Sequence, residues 1–192
     1  MTVICGIKDK GNIYMGCDSA ISTDSEIMTL SNPKIIRKWD MLIGITGSMR
    51  GLQLLEYEWV IPNNEDGDEI LKVLSTYFND EYIYKFVVPS IKEVFFSNQY
   101  CVTYDGQENM EDWLLIGYKG ELYTVVSNYQ CFKLDKPYAA IGSGSSYALG
   151  SFKTQEDFTT LGIDPEGSIK MAIKSACEFS NSVREPIRIF KI

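Results

Sequence analysis

The sequence predicts an α+β fold in which two antiparallel sheets lie between two helical layers, a four-layer αββα sandwich. Three observations predict it. Strands and helices arrive in separate blocks, in the order β-rich, helical, β-rich, helical, β, which argues against a wound βαβ sheet. Two pairs of short apolar runs flank Gly-containing turns and read as antiparallel hairpins. The chain has 192 residues, 45% of them hydrophobic and 23% charged, which suits one buried core over a single domain spanning 1–192.

The elements follow in order. Residues 2–8 alternate apolar with small or polar side chains, Asp9-Lys10-Gly11-Asn12 supplies a turn, and residues 13–17 return as a strand. Residues 41–46 (MLIGIT) form another strand, and Gly47-Ser48 ends it at the start of a helix through Leu52, Leu55 and Trp59. Pro62 and the polar stretch 63–68 break that helix. Beyond them Ile70, Leu71, Val73, Leu74, Tyr77 and Phe78 recur at helical spacing. Residues 82–100, rich in Phe, Tyr and Val around Pro89, fit helix and strand alike by pattern, and their place after a helix favours a continuation of the helical layer. Residues 113–118 and 122–126 flank Lys119-Gly120-Glu121 as a second hairpin. Residues 138–141 are a short strand ended by Gly142-Ser143-Gly144-Ser145, and 146–152 look helical. Pro165-Glu166 opens a helix carrying Ile169, Ile173, Ala176 and Cys177. Ile187, Ile189 and Ile192 alternate as a closing strand after Pro186.

Composition excludes several chemistries. The chain has no histidine, which removes Ser-His-Asp and Cys-His pairs and most catalytic zinc sites. Its net charge of −8, with no basic stripe, argues against nucleic acid or an anionic membrane as partner. No signal peptide or bilayer-length apolar run is evident, so the chain is expected to be cytoplasmic. Five cysteines, at 5, 17, 101, 131 and 177, form no CxxC pair and fit reduced thiols, with Cys5 and Cys17 as core fillers at strand positions.

Hydrolysis without histidine needs another base, and the N-terminus offers one. Thr2 follows the initiator Met1, Asp18 lies sixteen positions after Thr2 and Lys34 thirty-two after it. Removal of Met1 would leave a threonine whose own α-amine, with an unperturbed pKa of about 7.7–8.0, can take the proton of its hydroxyl. Nucleophile and base would share one residue. Each residue alone has an ordinary reading: Thr2 as a small residue that permits Met removal, Asp18 as an acid at a hairpin end, Lys34 as a solvated surface cation, and the Gly-Ser-Gly-Ser turn as a helix start.

Taken together, Thr2, the hairpin ending Gly16-Cys17-Asp18-Ser19, Lys34 before a strand, Thr46-Gly47 and Ile141-Gly142-Ser143-Gly144-Ser145 resemble the proteasome β-subunit superfamily of N-terminal nucleophile (Ntn) hydrolases, and most of all its HslV branch. The resemblance implies the Ntn hydrolase fold and a threonine endopeptidase acting on peptides or unfolded proteins. It implies Thr2 as nucleophile, Lys34 as the ammonium that stabilises its alkoxide, and Asp18 as the acid that positions and keeps Lys34 charged. By the same resemblance Gly47 offers its N–H to the tetrahedral oxyanion, and Ser143 stands beside the terminal amine. It further implies a ring-shaped homo-oligomer and an ATP-dependent unfoldase as partner. The peptide chemistry requires no metal or organic cofactor.

The family often carries a further acid near the end of its closing helix, where this chain reads Phe179-Ser180-Asn181-Ser182, and the stretch 49–110 matches the HslV branch poorly. These departures leave two other readings: an inactive proteasome-like scaffold or interaction subunit, and an Ntn amidase acting on small molecules outside any ring.

Overall fold

The computed structural model describes residues 2–22, 26–62, 73, 76, 78–157 and 162–192. Two main sheets carry the fold. The first has the order β12-β1-β2-β13, from strands β1 (Ile4–Asp9), β2 (Asn12–Cys17), β12 (Tyr138–Ile141) and β13 (Arg188–Lys191). The second has the order β11-β10-β9-β6-β5, from β5 (Ile35–Lys38), β6 (Met41–Ile45), β9 (Leu114–Tyr118), β10 (Glu121–Val125) and β11 (Cys131–Lys133). All pairings within the two sheets are antiparallel.

The two expected hairpins are β1–β2 and β9–β10. Their turns hold Lys10-Gly11 at φ 47° and 80° and Lys119-Gly120 at φ 44° and 78°. Two successive positive φ values are what a tight hairpin turn needs to match strand twist, and glycine takes the second at no steric cost. Two further small hairpins were not anticipated: β3 (Ala20–Ser22) with β4 (Ile27–Thr29), and β7 (Val102–Tyr104) with β8 (Gln107–Asn109).

Helix α1 (Met49–Gln53) runs on through a π-helical stretch, Leu54–Glu58, and stops at Trp59, whose backbone is extended. Helix α2 is built from Asn79–Tyr82, a π-helical stretch Ile83–Val87, and Val88–Ser97, so the segment around Pro89 is helical as expected. The helix expected over Ile70, Leu71, Val73, Leu74, Tyr77 and Phe78 falls for the most part outside the described residues; Val73 and Thr76 are helical. Helix α3 (Ser145–Asp157) is longer than its sequence pattern suggested. Helix α4 (Pro165–Phe179) starts at Asp164, whose side chain accepts from the Gly167 N–H at 2.6 Å.

Among the described residues, alternation along the strands sorts the buried side chains into three apolar clusters. Ile4, Ile13, Met15 and Cys17 of the first sheet meet Ile35, Leu42, Leu115 and Leu122 of the second. Their neighbours Val3 and Cys5 turn the other way, onto Ala148 and Phe152 of α3 and Ile169, Ala172, Ile173 and Ala176 of α4. In the second sheet Ile43, Ile45, Leu114, Ile116 and Tyr123 point away from the first sheet. They pack with Leu52, Leu55, Trp59, Ile83, Val87, Ile91 and Phe95. Each such aliphatic or aromatic side chain, fully removed from water, contributes roughly 1.5–3 kcal/mol. Among the described residues no helix is long and apolar enough to cross a membrane.

Candidate active site

Strand pairing brings together residues far apart in sequence. In the β1–β2 register Ile4 faces Cys17, so the chain just before β1 meets the chain just after β2, and the Asp18 N–H donates to the Val3 carbonyl at 3.3 Å. On the other side β1 pairs with β12, Ile4 facing Ile141. The Gly142-Ser143-Gly144 turn therefore leaves its strand beside Thr2, and the Gly144 N–H donates to the Thr2 carbonyl at 3.2 Å. Gly142 has φ 94°, and a Cβ there would overlap the Thr2 carbonyl oxygen. Only glycine permits that approach.

Asp18 is the hub, fully buried. Its Oδ1 accepts from the Thr2 hydroxyl at 2.7 Å, the Val3 N–H at 3.0 Å and Lys34 Nζ at 2.9 Å. Its Oδ2 accepts from the Ala20 N–H at 2.9 Å and the Arg184 N–H at 3.4 Å. Lys34 is 4% exposed, so the ammonium and carboxylate form a sealed ion pair whose remaining lone pairs are taken by backbone donors. Lys34 reaches the first sheet from the second: it immediately precedes β5, and its carbonyl accepts from the Ile45 N–H of β6 at 3.3 Å. Thr2 itself is 2% exposed.

The Thr2 N–H donates to Ser143 Oγ at 3.2 Å, and Ser143 Oγ lies 3.3 Å from the Thr2 carbonyl oxygen. Ser143 continues into a chain of hydroxyls, 3.0 Å to Ser182 Oγ and 2.9 Å from there to Ser180 Oγ. Ser180 and Ser182 arrive because β13 pairs with β2 and draws the segment after α4 back to the N-terminus; the Ser19 N–H donates to the Arg184 carbonyl at 2.9 Å. The sequence marks these two serines only as the place where an acid was missing.

A cleft of about 330 Å³ runs past this cluster, and Thr2, Ala20, Lys34, Gly47, Ser48 and Arg50 are among the residues that line it. Gly47 has φ 79° and a Cβ there would overlap Asp112 Oδ1, so the position admits glycine alone. The structure thus gathers Thr2, Asp18, Lys34 and Ser143 into one hydrogen-bonded group and sets Gly47 on the same cleft. One contact differs from expectation. The Thr2 hydroxyl donates to Asp18, on the same carboxylate oxygen that binds Lys34, so the lysine is tied to the hydroxyl through the acid.

Across the whole length of this architecture, solved structures agree with it. The Thiobacillus denitrificans protein BPH superposes with a TM-score of 0.73 at 20% identity, covering 100% of this chain and 97% of that one. The same protein in complex with epoxomicin gives 0.71 at 21% identity, covering 100% and 98%. Eukaryotic HslV from Trypanosoma brucei gives 0.70 at 17% identity, covering 99% and 98%. The chain has an HslV-like fold. By sequence, no family model matches the chain and no curated protein does. The HslV-like likeness is therefore carried by architecture.

No cysteine side chain is among the side-chain partners of Thr2, Asp18 or Ser143 given above. Cys5 faces the helices and Cys17 the second sheet, and all five cysteines are free thiols. Burial pushes the Cys17 thiol up to about 11 and the Cys5 thiol higher still, so at pH 8 both remain protonated. Native protein treated with a maleimide at pH 8 should leave Cys5 and Cys17 unmodified by peptide mapping, whereas urea-unfolded protein is modified at both. Among the described residues no group of three or more His, Cys, Asp or Glu is placed to hold a metal.

Proposed function

We propose that this chain is a threonine-type endopeptidase of the HslV and proteasome kind, cleaving peptide bonds through Thr2 after removal of Met1. The observation that carries the reading is the Thr2 hydroxyl bonded to a buried carboxylate that is itself paired with Lys34, beside an open cleft. The solved neighbour whose structure holds epoxomicin supports it at the level of fold. So does the succession of three apolar clusters, read here as the four-layer order of helices, sheet, sheet and helices.

In the mature chain the free α-amine of Thr2 takes the hydroxyl proton, and Oγ1 attacks the substrate carbonyl carbon. Negative charge then gathers on the carbonyl oxygen. The Gly47 N–H receives it, a contact typically worth about 2.7–4 kcal/mol in the transition state. Lys34, anchored on the same Asp18 oxygen as the hydroxyl, stabilises the alkoxide as it forms. Collapse of the intermediate breaks the C–N bond, and the leaving amine takes the proton held by the α-ammonium. Water, deprotonated by the same amine, then hydrolyses the ester on Thr2 and releases the carboxylic product. Ser143, bonded to the nitrogen of Thr2 and backed by Ser182, orients that amine where no carboxylate stands.

The assembly is a ring-shaped homo-oligomer in the cytoplasm, fed with unfolded chains by an ATP-driven unfoldase. The Met1-free protein should hydrolyse unstructured fluorogenic peptides, and light scattering should give a multimer of ten or more subunits. A multimer that hydrolyses no peptide would favour the scaffold reading, and an active monomer or dimer the small-molecule amidase.

A further inference from the structure

We infer that Asp112 is a positioning residue for the reaction, holding the turn of Gly47 so that its N–H faces the reacting carbonyl; this rests on the reading of Gly47 as oxyanion donor. Asp112 is fully buried, unlike its exposed neighbours Glu111 and Trp113. Its Oδ1 accepts from the Ser48 N–H at 3.0 Å, and its Oδ2 accepts from the Tyr100 hydroxyl. Both donors are uncharged. A carboxylate sealed from water on neutral donors is costly, and such costs persist mainly where a site needs the group.

The turn shows what the group does. Because β6 and β9 pair with Ile45 facing Leu114, the residues after β6 run alongside those before β9. The Thr46 N–H donates to the Trp113 carbonyl at 3.0 Å, and the Trp113 N–H returns a bond to Thr46 Oγ1 at 3.0 Å. One residue on, Ser48 is tied to Asp112. The two peptide amides that flank Gly47 are thus fixed on the 112–113 segment, and the residue between them lines the cleft with φ 79°. The packing is reciprocal, since a Cβ at 47 would overlap Asp112 Oδ1. Tyr100, stacked edge-on against the buried Phe95 at 5.1 Å between centroids, fixes the second oxygen to the α2 layer. The turn is therefore braced against two elements and is not set by local chain preference.

The test uses Met1-free protein and a fluorogenic peptide. Asp112→Ala should lower kcat by about 10²-fold, the effect of a misaligned oxyanion donor, with KM changed less than about 3-fold. Asp112→Asn, which keeps an oxygen for the Ser48 N–H, should recover kcat to within about 10-fold of wild type. Tyr100→Phe should fall between. A kcat unchanged in Asp112→Ala, or no recovery in Asp112→Asn, overturns the inference while leaving the peptidase reading intact. Should Asp112→Ala fail to fold, an unchanged kcat in Tyr100→Phe overturns it equally. Hydrogen exchange of residues 46–50 in an inactive Thr2→Ala background separates the two ideas. Adding Asp112→Ala should speed that exchange even if wild type hydrolyses nothing, and unaltered exchange overturns the brace by itself.

Discussion

Thr2→Ala is expected to lower kcat/KM for peptide substrates by at least about 10³-fold while the protein folds and assembles as before. The substitution removes the hydroxyl that donates to Asp18 and leaves the main chain intact, including the bond from the Thr2 N–H to Ser143 and that from Gly144 to the Thr2 carbonyl. Among the described residues of the cleft, Thr2 alone would carry a hydroxyl and an α-amine on one residue once Met1 is removed. Thr2→Ser, which keeps hydroxyl and amine, should restore most of the rate. Steady-state kinetics with unchanged light scattering checks both, and residual activity above one-tenth of wild type in Thr2→Ala would mean that another group performs the attack.

Asp18→Ala should be the most destabilising single change in the site, costing about 3–5 kcal/mol by urea unfolding. Asp18 takes five donors inside the protein: the Thr2 hydroxyl, the Lys34 ammonium and the N–H groups of Val3, Ala20 and Arg184. Alanine removes the carboxylate opposite a buried ammonium and leaves buried N–H groups without it, each of which costs about 1–3 kcal/mol when unsatisfied. Asp18→Asn keeps an acceptor for some of these donors and should lose less stability, yet it removes the charge facing Lys34 and should lose activity nearly as fully. An Asp18→Ala protein within 1 kcal/mol of wild type would show that the pair is not the anchor described here.

The parts of this arrangement that were legible in the sequence share one property: short-range pattern. Alternation plus Lys10-Gly11 and Lys119-Gly120 identified the two hairpins, and the Thr2, Asp18 and Lys34 register was visible because the first two strands are nearly continuous. Asp105-Gly106 closes a third hairpin with the same backbone, φ 49° and 74°, but its strands are three residues long and neither has a buried residue. No alternation could mark them. The β3–β4 ribbon was missed for the same reason, being short and one-sided. The π-helical turns at Leu54–Glu58 and Ile83–Val87 leave no trace in a 3.6-residue period. Ser180, Ser182 and Asp112 reach the site only through pairing of β13 with β2 and of β9 with β6. Such long-range registers are set by the assembled sheets and not by neighbours in the chain.

The central claim is that Thr2 acts with hydroxyl and α-amine on one residue, and an epoxyketone peptide tests it most directly because its ketone and epoxide can engage both. Met1-free protein should gain one adduct per chain by intact mass, mapped to Thr2, and the adduct should be absent from Thr2→Ala and from protein that retains Met1. An adduct mapped elsewhere, or equal labelling of the Met1-retaining chain, would contradict it.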